Sequence, residues 1–280
     1  MSVTESAQVR NSIKAPLNYI VDNGVLPVHY VDRPEDEHKT VTATYEEIQV
    51  DIADGRPLKH EFNVATHGFA FVDHVTGVDN FLDESQIKSI YYPEIADLIK
   101  EHSGADDVFV FDHTVRFADE ADREANKVRP PVRGVHNDYT ENSARQRIRD
   151  MLPADEAEAR LQKRFAIIQV WRAIRLPIQT DPLAICDARS LSEEALVKLT
   201  RHYPHRTAET YHIAFNPNHK WYYFPEMTKN EAIVFKVYDS GKNASTRYTA
   251  HTSFDDPTTR PDAPPRESIE MRAFAFYDED

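Results

Sequence analysis

Apolar and polar positions alternate with a period of two along much of the chain and shift to a helical period in a few stretches. The densest apolar run, Phe165 to Ile174 (FAIIQVWRAI), predicts a buried strand, although Arg172 within it is unusual for one. Asp107 to Arg116 (DVFVFDHTVR) predicts another, with His113 on one face and Asp112, Thr114 and Arg116 on the other. Further strands are expected within Lys39 to Asp51, Phe69 to Val75, Pro182 to Cys186, Thr210 to Phe215, Lys220 to Phe224, Glu231 to Tyr238, Thr246 to Phe254 and Arg266 to Phe276. Helical spacing of Ile87, Ile90, Ile95, Leu98 and Ile99 predicts a helix over Asp83 to His102, bent or divided at Pro93. Asn142 to Arg164 reads as helix broken near Pro153, and Ser192 to His202 as a further helix. The first residues are expected to form a mobile tail, Asp32 to Glu37 a solvated loop, and 117–131 a charged loop ending in Pro130-Pro131. Many short strands with turn punctuation give a mainly β fold with peripheral helices, a sandwich or jelly-roll barrel. With no repeat and no evident linker, the chain is expected to be a single domain, 1–280. Residues 1–105 would pack strands and a helix on the barrel, and residues 106–277 would form its core.

Composition narrows the function classes. Hydrophobic residues make up 40% and aromatics 10% of the 280 residues, enough for a substantial core. The net charge of −14, with 33 Lys+Arg against 47 Asp+Glu, argues against nucleic acid as a partner. No apolar run approaches the roughly 20 residues that span a bilayer, and the opening residues lack a signal-peptide core. The one cysteine, Cys186, excludes an intramolecular disulfide and fits a reducing, cytoplasmic setting. Only 7 glycines occur, with no GxGxxG and no GxxxxGK[ST], so dinucleotide and P-loop nucleotide sites are not expected.

Candidate chemistry begins at Val132 to Thr140 (VRGVHNDYT). Residues i and i+2 of a strand share a face, so His136 and Asp138 would project together as two ligands of one metal ion. A distant histidine would complete a two-His, one-carboxylate set with open positions, the arrangement of non-haem Fe(II) oxygenases. His251, in Ala250 to Phe254 (AHTSF), is the candidate, with His113 or His212 as alternatives if the strand register differs. In the last strand Arg266, Ser268, Glu270, Arg272, Phe274 and Phe276 share a face. Arg266 with Ser268 could hold the distal carboxylate of a dicarboxylate cosubstrate through parallel N–H···O bonds and a hydroxyl.

HNDYT, Trp171-Arg172, PLAICDARS at 182–190, WYYFPEM at 221–227, FKVYDS at 235–240, AHTSFDD at 250–256 and PRESIEMRAFAF at 265–276 together resemble one family. It is the family of fungal and bacterial hydroxylase/desaturases, gibberellin desaturase-like and CmcJ-like, and the resemblance covers roughly residues 105–277. It implies an Fe(II)- and 2-oxoglutarate-dependent dioxygenase on a double-stranded β-helix, hydroxylating or desaturating a small-molecule substrate, typically a secondary metabolite, with O2 as the other cosubstrate. Carried over by position, it implies His136, Asp138 and His251 as iron ligands and Arg266 with Ser268 as the 2-oxoglutarate anchor. Ala250 stands where proline is expected in relatives, which leaves the ligand itself untouched.

Other residues carry two readings each. Arg172 is either a second 2-oxoglutarate contact or a buried salt-bridge partner, and Tyr139 either lines the substrate pocket or packs. Arg116 suits a carboxylate-bearing substrate. Asn137 points away from its neighbours and reads as structural, and Trp221, Tyr222 and Tyr223 as core. Two rival functions share the ligand set: a zinc-dependent hydrolase, which leaves Arg266 and Ser268 without a task, and a non-catalytic jelly-roll binding protein.

Overall fold

The structure, a computed structural model, describes residues 11–31 and 42–279; most of the expected tail and all of the charged loop at Asp32 to Glu37 lie outside them. Elements are numbered in chain order. One sheet holds nine strands, ordered β1 (Ser12–Ile20), β3 (Tyr45–Asp54), β11 (Trp221–Tyr223), β8 (Leu183–Cys186), β13 (His251–Ser253), β6 (His136–Asn137), β10 (Thr207–Ile213), β9 (Leu196–His202) and β2 (Val28–Tyr30). The facing sheet holds five, ordered β4 (Phe69–Asp73), β12 (Glu231–Asp239), β7 (Phe165–Ala173), β14 (Glu267–Phe276) and β5 (Asp107–Phe117). The fold is mainly β, a jelly-roll of the double-stranded β-helix kind with the nine-stranded sheet as its curled half.

The central strands explain their own sequences. All nine residues of β7 are buried because both faces of the strand are covered. Phe165, Ile167 and Trp171 face the other sheet with Phe274 and Phe276 of β14, Phe235 of β12 and Ile185 of β8. Ala166, Ile168 and Val170 face outward with Ile269 and Met271, under Ile95, Leu98 and Ile99 of helix α2 (Tyr92–Ser103). Each large side chain fully buried in this way contributes about 1.5–3 kcal/mol, so an unbroken apolar strand is the expected sequence of a middle layer. Trp221, Tyr222 and Tyr223 are buried as expected, and Trp221 donates from Nε1 to Tyr19 Oη at 2.7 Å.

Several expectations change. The helix expected over Ser192 to His202 is strand β9, preceded by a single 3-10 turn at Glu193–Ala195. Backbone pairing with β10 on one side and β2 on the other outweighs a weak helical period. The strand expected over Thr246 to Phe254 shortens to β13. The charged loop contains helix α3 (Glu120–Asn126), capped by the Asp119 carboxylate on the Asp122 N–H. The first helix starts at α1 (Glu84–Gln86), winds through a π turn at Ile87–Tyr91 just before Pro93 and continues as α2. Residues before 105 are not only packed on a barrel. They supply β1, β2 and β3 to the large sheet and β4 to the small one. The break at Pro153 is as expected, between α4 (Glu141–Met151) and α5 (Ala154–Leu161).

Candidate metal centre

His136 on β6 and His251 on β13 are direct cross-strand partners. Paired residues of adjacent strands project to the same face, and the two rings lie 4.3 Å apart between centroids. Each ring turns its Nδ1 to the carbonyl two residues earlier in the chain: His136 to Gly134 at 2.7 Å, His251 to Thr249 at 3.4 Å. The N–H of each ring is thereby placed on Nδ1, and both Nε2 lone pairs face inward. Asp138 follows β6 and brings Oδ1 to 3.4 Å from His136 Nε2. Ligand atoms of His136, Asp138 and His251 all lie within 4.8 Å of one another.

Electrostatics favour a cation there. Burial pushes the His251 imidazole down to about 4, helped by neighbouring His136, so the ring is neutral and its lone pair available. Burial would raise Asp138, but the adjacent His136 ring and the Arg272 guanidinium overcome it and hold the carboxyl well below the usual range. His251 Nε2 is buried and has no hydrogen-bond partner among the described residues. A buried nitrogen without a partner, facing a carboxylate oxygen and a second imidazole, is the donor set of a two-His, one-carboxylate metal site.

Asn137, between the two ligands, is fully buried and turned the other way. Its Nδ2 donates to the carbonyls of Tyr139 at 2.8 Å and Val237 at 2.9 Å, and its Oδ1 accepts from the Thr249 N–H at 3.3 Å. It therefore ties the segment carrying His136 and Asp138 to the one carrying His251. Gly68, at φ +83, lets Thr249 approach: a Cβ there would meet Thr249 Oγ1 at 2.3 Å.

Arg266 comes from the facing sheet, not from a strand adjacent to β13. It precedes β14, is 3% exposed, and lies over the Trp171 ring at 4.9 Å. Nε donates to Ser268 Oγ at 3.0 Å, and one terminal nitrogen donates to the Asp181 carbonyl at 2.7 Å and Ser253 Oγ at 3.2 Å. No carboxylate lies within ion-pair distance of it among the described residues, and burial beside Arg116 pushes its guanidinium down to about 9. Ser253, two residues after His251, links this cation to the ligand strand.

Arg172 is placed elsewhere. It faces the outer side of β7, where it donates to the carbonyls of His74 and Lys229 and sits over the Tyr91 ring at 5.6 Å. Period two puts it with Ile168 and Val170, away from Gln169 and Trp171, so it does not meet Arg266. His113 also faces outward, with Tyr92 Oη at 3.0 Å and Glu84 at 3.1 Å. His212 is the strand neighbour of His136, but its Nδ1 is taken up by Tyr45 Oη at 3.0 Å and it stands outside the three-ligand cluster. A cavity of about 980 Å³ opens from the centre, with His136, Asp138, Arg116, Tyr139, His212 and Arg272 in its wall. Arg116 is half-buried, which lowers its guanidinium, and donates to the Pro130 carbonyl at 3.0 Å.

Two residues of the centre escaped the sequence reading. Gln169 Nε2 donates to Asp138 Oδ2 at 2.6 Å, and Arg272 Nε reaches the same oxygen at 3.4 Å. The signal for Gln169 was present: a lone amide in an otherwise apolar inward row.

A family model described as an oxidoreductase/YMDC permease-like domain matches residues 17–276. The chain is 36% identical to the hydroxylase/desaturase CTB9 of Cercospora beticola, covering 84% of this chain and 78% of that protein. It is 33% identical to the hydroxylase/desaturase efuI of Hormonema carpetanum, covering 96% of each. The chain belongs to this hydroxylase/desaturase family. The membership extends well before residue 105, where the motifs of the sequence begin. A solved structure, the iron and alpha-ketoglutarate-dependent endoperoxidase NvfI, superposes with a TM-score of 0.85 at 26% identity, over 95% of this chain and 98% of that one. The Fe(II)/2-oxoglutarate-dependent dioxygenase nvfI of Aspergillus novofumigatus is 32% identical over 80% of this chain. The enzyme class is thus that of the Fe(II)- and 2-oxoglutarate-dependent oxygenases. Among the described residues no helix is long and apolar enough to cross a membrane.

Proposed function

We propose that the protein oxidises a small molecule at an iron centre held by His136, Asp138 and His251, with Arg266 and Ser268 anchoring 2-oxoglutarate. The observation that carries this reading is the pair of cross-strand histidines whose Nε2 atoms converge on Asp138 Oδ1, one of them buried without a partner. When bound, iron with 2-oxoglutarate and O2 supplies the oxidation of an unactivated C–H bond, with succinate and carbon dioxide as coproducts.

The protein's own residues supply the rest. A buried guanidinium without a carboxylate partner is costly unless a ligand anion completes it. Arg266, backed by Trp171 and held at two nitrogens, suits the distal carboxylate of a dicarboxylate, and Ser268 adds a hydroxyl. The cavity is the room for the substrate, with Tyr139 on its wall and Arg116 as a cation for a polar or acidic substituent. Hydroxylation and desaturation both fit this arrangement. A zinc-dependent hydrolase would leave the buried Arg266 guanidinium without a ligand anion.

The test is aerobic turnover of 2-oxoglutarate with Fe(II), measured as succinate. His136→Ala and Asp138→Ala are expected to abolish iron binding and succinate release. Arg266→Ala is expected to raise the 2-oxoglutarate requirement by 10-fold or more, on the order of the 1.5–3 kcal/mol of a charged hydrogen bond, while iron still binds. Full activity in Asp138→Ala would exclude this triad.

A further inference from the structure

Asp138 lies just beyond the end of β6, and side-chain contacts decide which of its carboxylate oxygens turns to the centre. Oδ2 receives the Gln169 amide at 2.6 Å and Arg272 Nε at 3.4 Å, whereas Oδ1 faces His136 Nε2. The two donors are direct cross-strand partners, Gln169 on β7 and Arg272 on β14, and project to the same inward face. Arg272 is itself aimed by Glu270, by Thr114 Oγ1 at 2.9 Å and by Asp112 at 3.4 Å.

Gln169 stands out physically. It is fully buried among Phe165, Ile167 and Trp171, and its Oε1 has no hydrogen-bond partner among the described residues. A buried amide with an orphan acceptor destabilises a strand that leucine or methionine would fill without penalty. What the amide adds is one neutral N–H aimed at Asp138. A carboxylate in its place would repel Asp138.

We propose that Gln169, with Arg272 beside it, is a positioning residue that pins Asp138 Oδ2 and thereby commits Oδ1 alone to the metal. This rests on the metal-centre reading given above. Partners that hydrogen-bond a ligating side chain orient it and typically account for 10–100-fold in metal affinity.

The test uses Co(II) as the probe, added to the full chain without cosubstrate, so that its d–d absorption reports coordination rather than turnover. Gln169→Met, nearly isosteric, and Gln169→Leu are expected to bind Co(II) about 10–100-fold more weakly and with altered band intensities. Both are expected to remain folded, as a cooperative denaturant titration would show. Ile168→Val, on the outer face of the same strand, is expected to leave affinity and spectrum unchanged. Two folded Gln169 variants with unaltered Co(II) affinity and spectrum would overturn the inference and leave the metal centre standing. If the unmodified protein fails to bind Co(II), or Asp138→Ala binds it equally well, the metal-centre reading itself fails, and this inference with it.

Discussion

At the scale of single residues, the centre depends on side chains with one fixed orientation each. Asn137 makes three hydrogen bonds, two of them to distant segments, while contributing no ligand. Asn137→Ala would leave the Val237 carbonyl and the Thr249 N–H buried and unpaired, at about 1–3 kcal/mol for each group. It should lower stability by several kcal/mol in a denaturant titration and also weaken metal binding, because Thr249 carries the carbonyl that orients His251. A loss of stability with unchanged metal affinity would show that Asn137 acts on the fold alone. Sequence spacing correctly placed Asn137 opposite its neighbours, but not its partners, since hydrogen bonds across 100 and 112 residues leave no local pattern.

At the scale of elements, face and register decide function. Arg172 and Gln169 share β7, yet one reaches His74 and Lys229 and the other reaches Asp138. Arg172→Leu is therefore expected to cost about 2–4 kcal/mol in stability, from two carbonyls left without donors, with the 2-oxoglutarate requirement unaltered. A raised 2-oxoglutarate requirement in a folded Arg172→Leu protein would place this arginine back at the cosubstrate. The long elements were legible: β7, β12 and β14 follow their apolar runs closely because both faces of these strands are covered, and β5, a half-buried edge strand, follows its own. β9 was not, and β13 only in part. Leu196 to His202 carries too few apolar residues for its period to decide between helix and strand, and what settles it is pairing with β10 and β2. His251 sits in a strand of only three residues, held by partners on β6 and β8 that the sequence does not name.

At the scale of the molecule, the centre is divided between two sheets. The nine-stranded sheet carries His136 and His251, and the five-stranded sheet carries Gln169, Ser268 and Arg272, with Arg266 at the edge of β14. The order of motifs along the chain was readable, whereas their distribution over facing sheets was not, because consecutive strands β13 and β14 belong to different sheets. The part of the chain before residue 105 is tied into this frame by charge as well as by pairing. Arg56 holds Glu231 through two nitrogens at 2.7 and 3.0 Å. Burial alone would raise Glu231, but Arg56 and Thr228 hold it below its ordinary value of 4.5. A carboxyl depressed in the folded state stabilises above its unfolded pKa and loses that stabilisation as pH falls through the folded one. Stability should therefore decline below about pH 4.5, and Glu231→Gln should flatten that decline in pH-dependent thermal denaturation; an unchanged acid limb would show that the ion pair is not among its causes.

The central claim is that these two sheets assemble one iron and 2-oxoglutarate site from His136, Asp138, His251 and Arg266. Its most direct test is the formation of succinate from 2-oxoglutarate under air with Fe(II), compared between the unmodified protein and Asp138→Ala. Fe(II)-dependent succinate is expected from the first and none from the second; equal succinate from both, or none from either with candidate substrates present, would rule this site out.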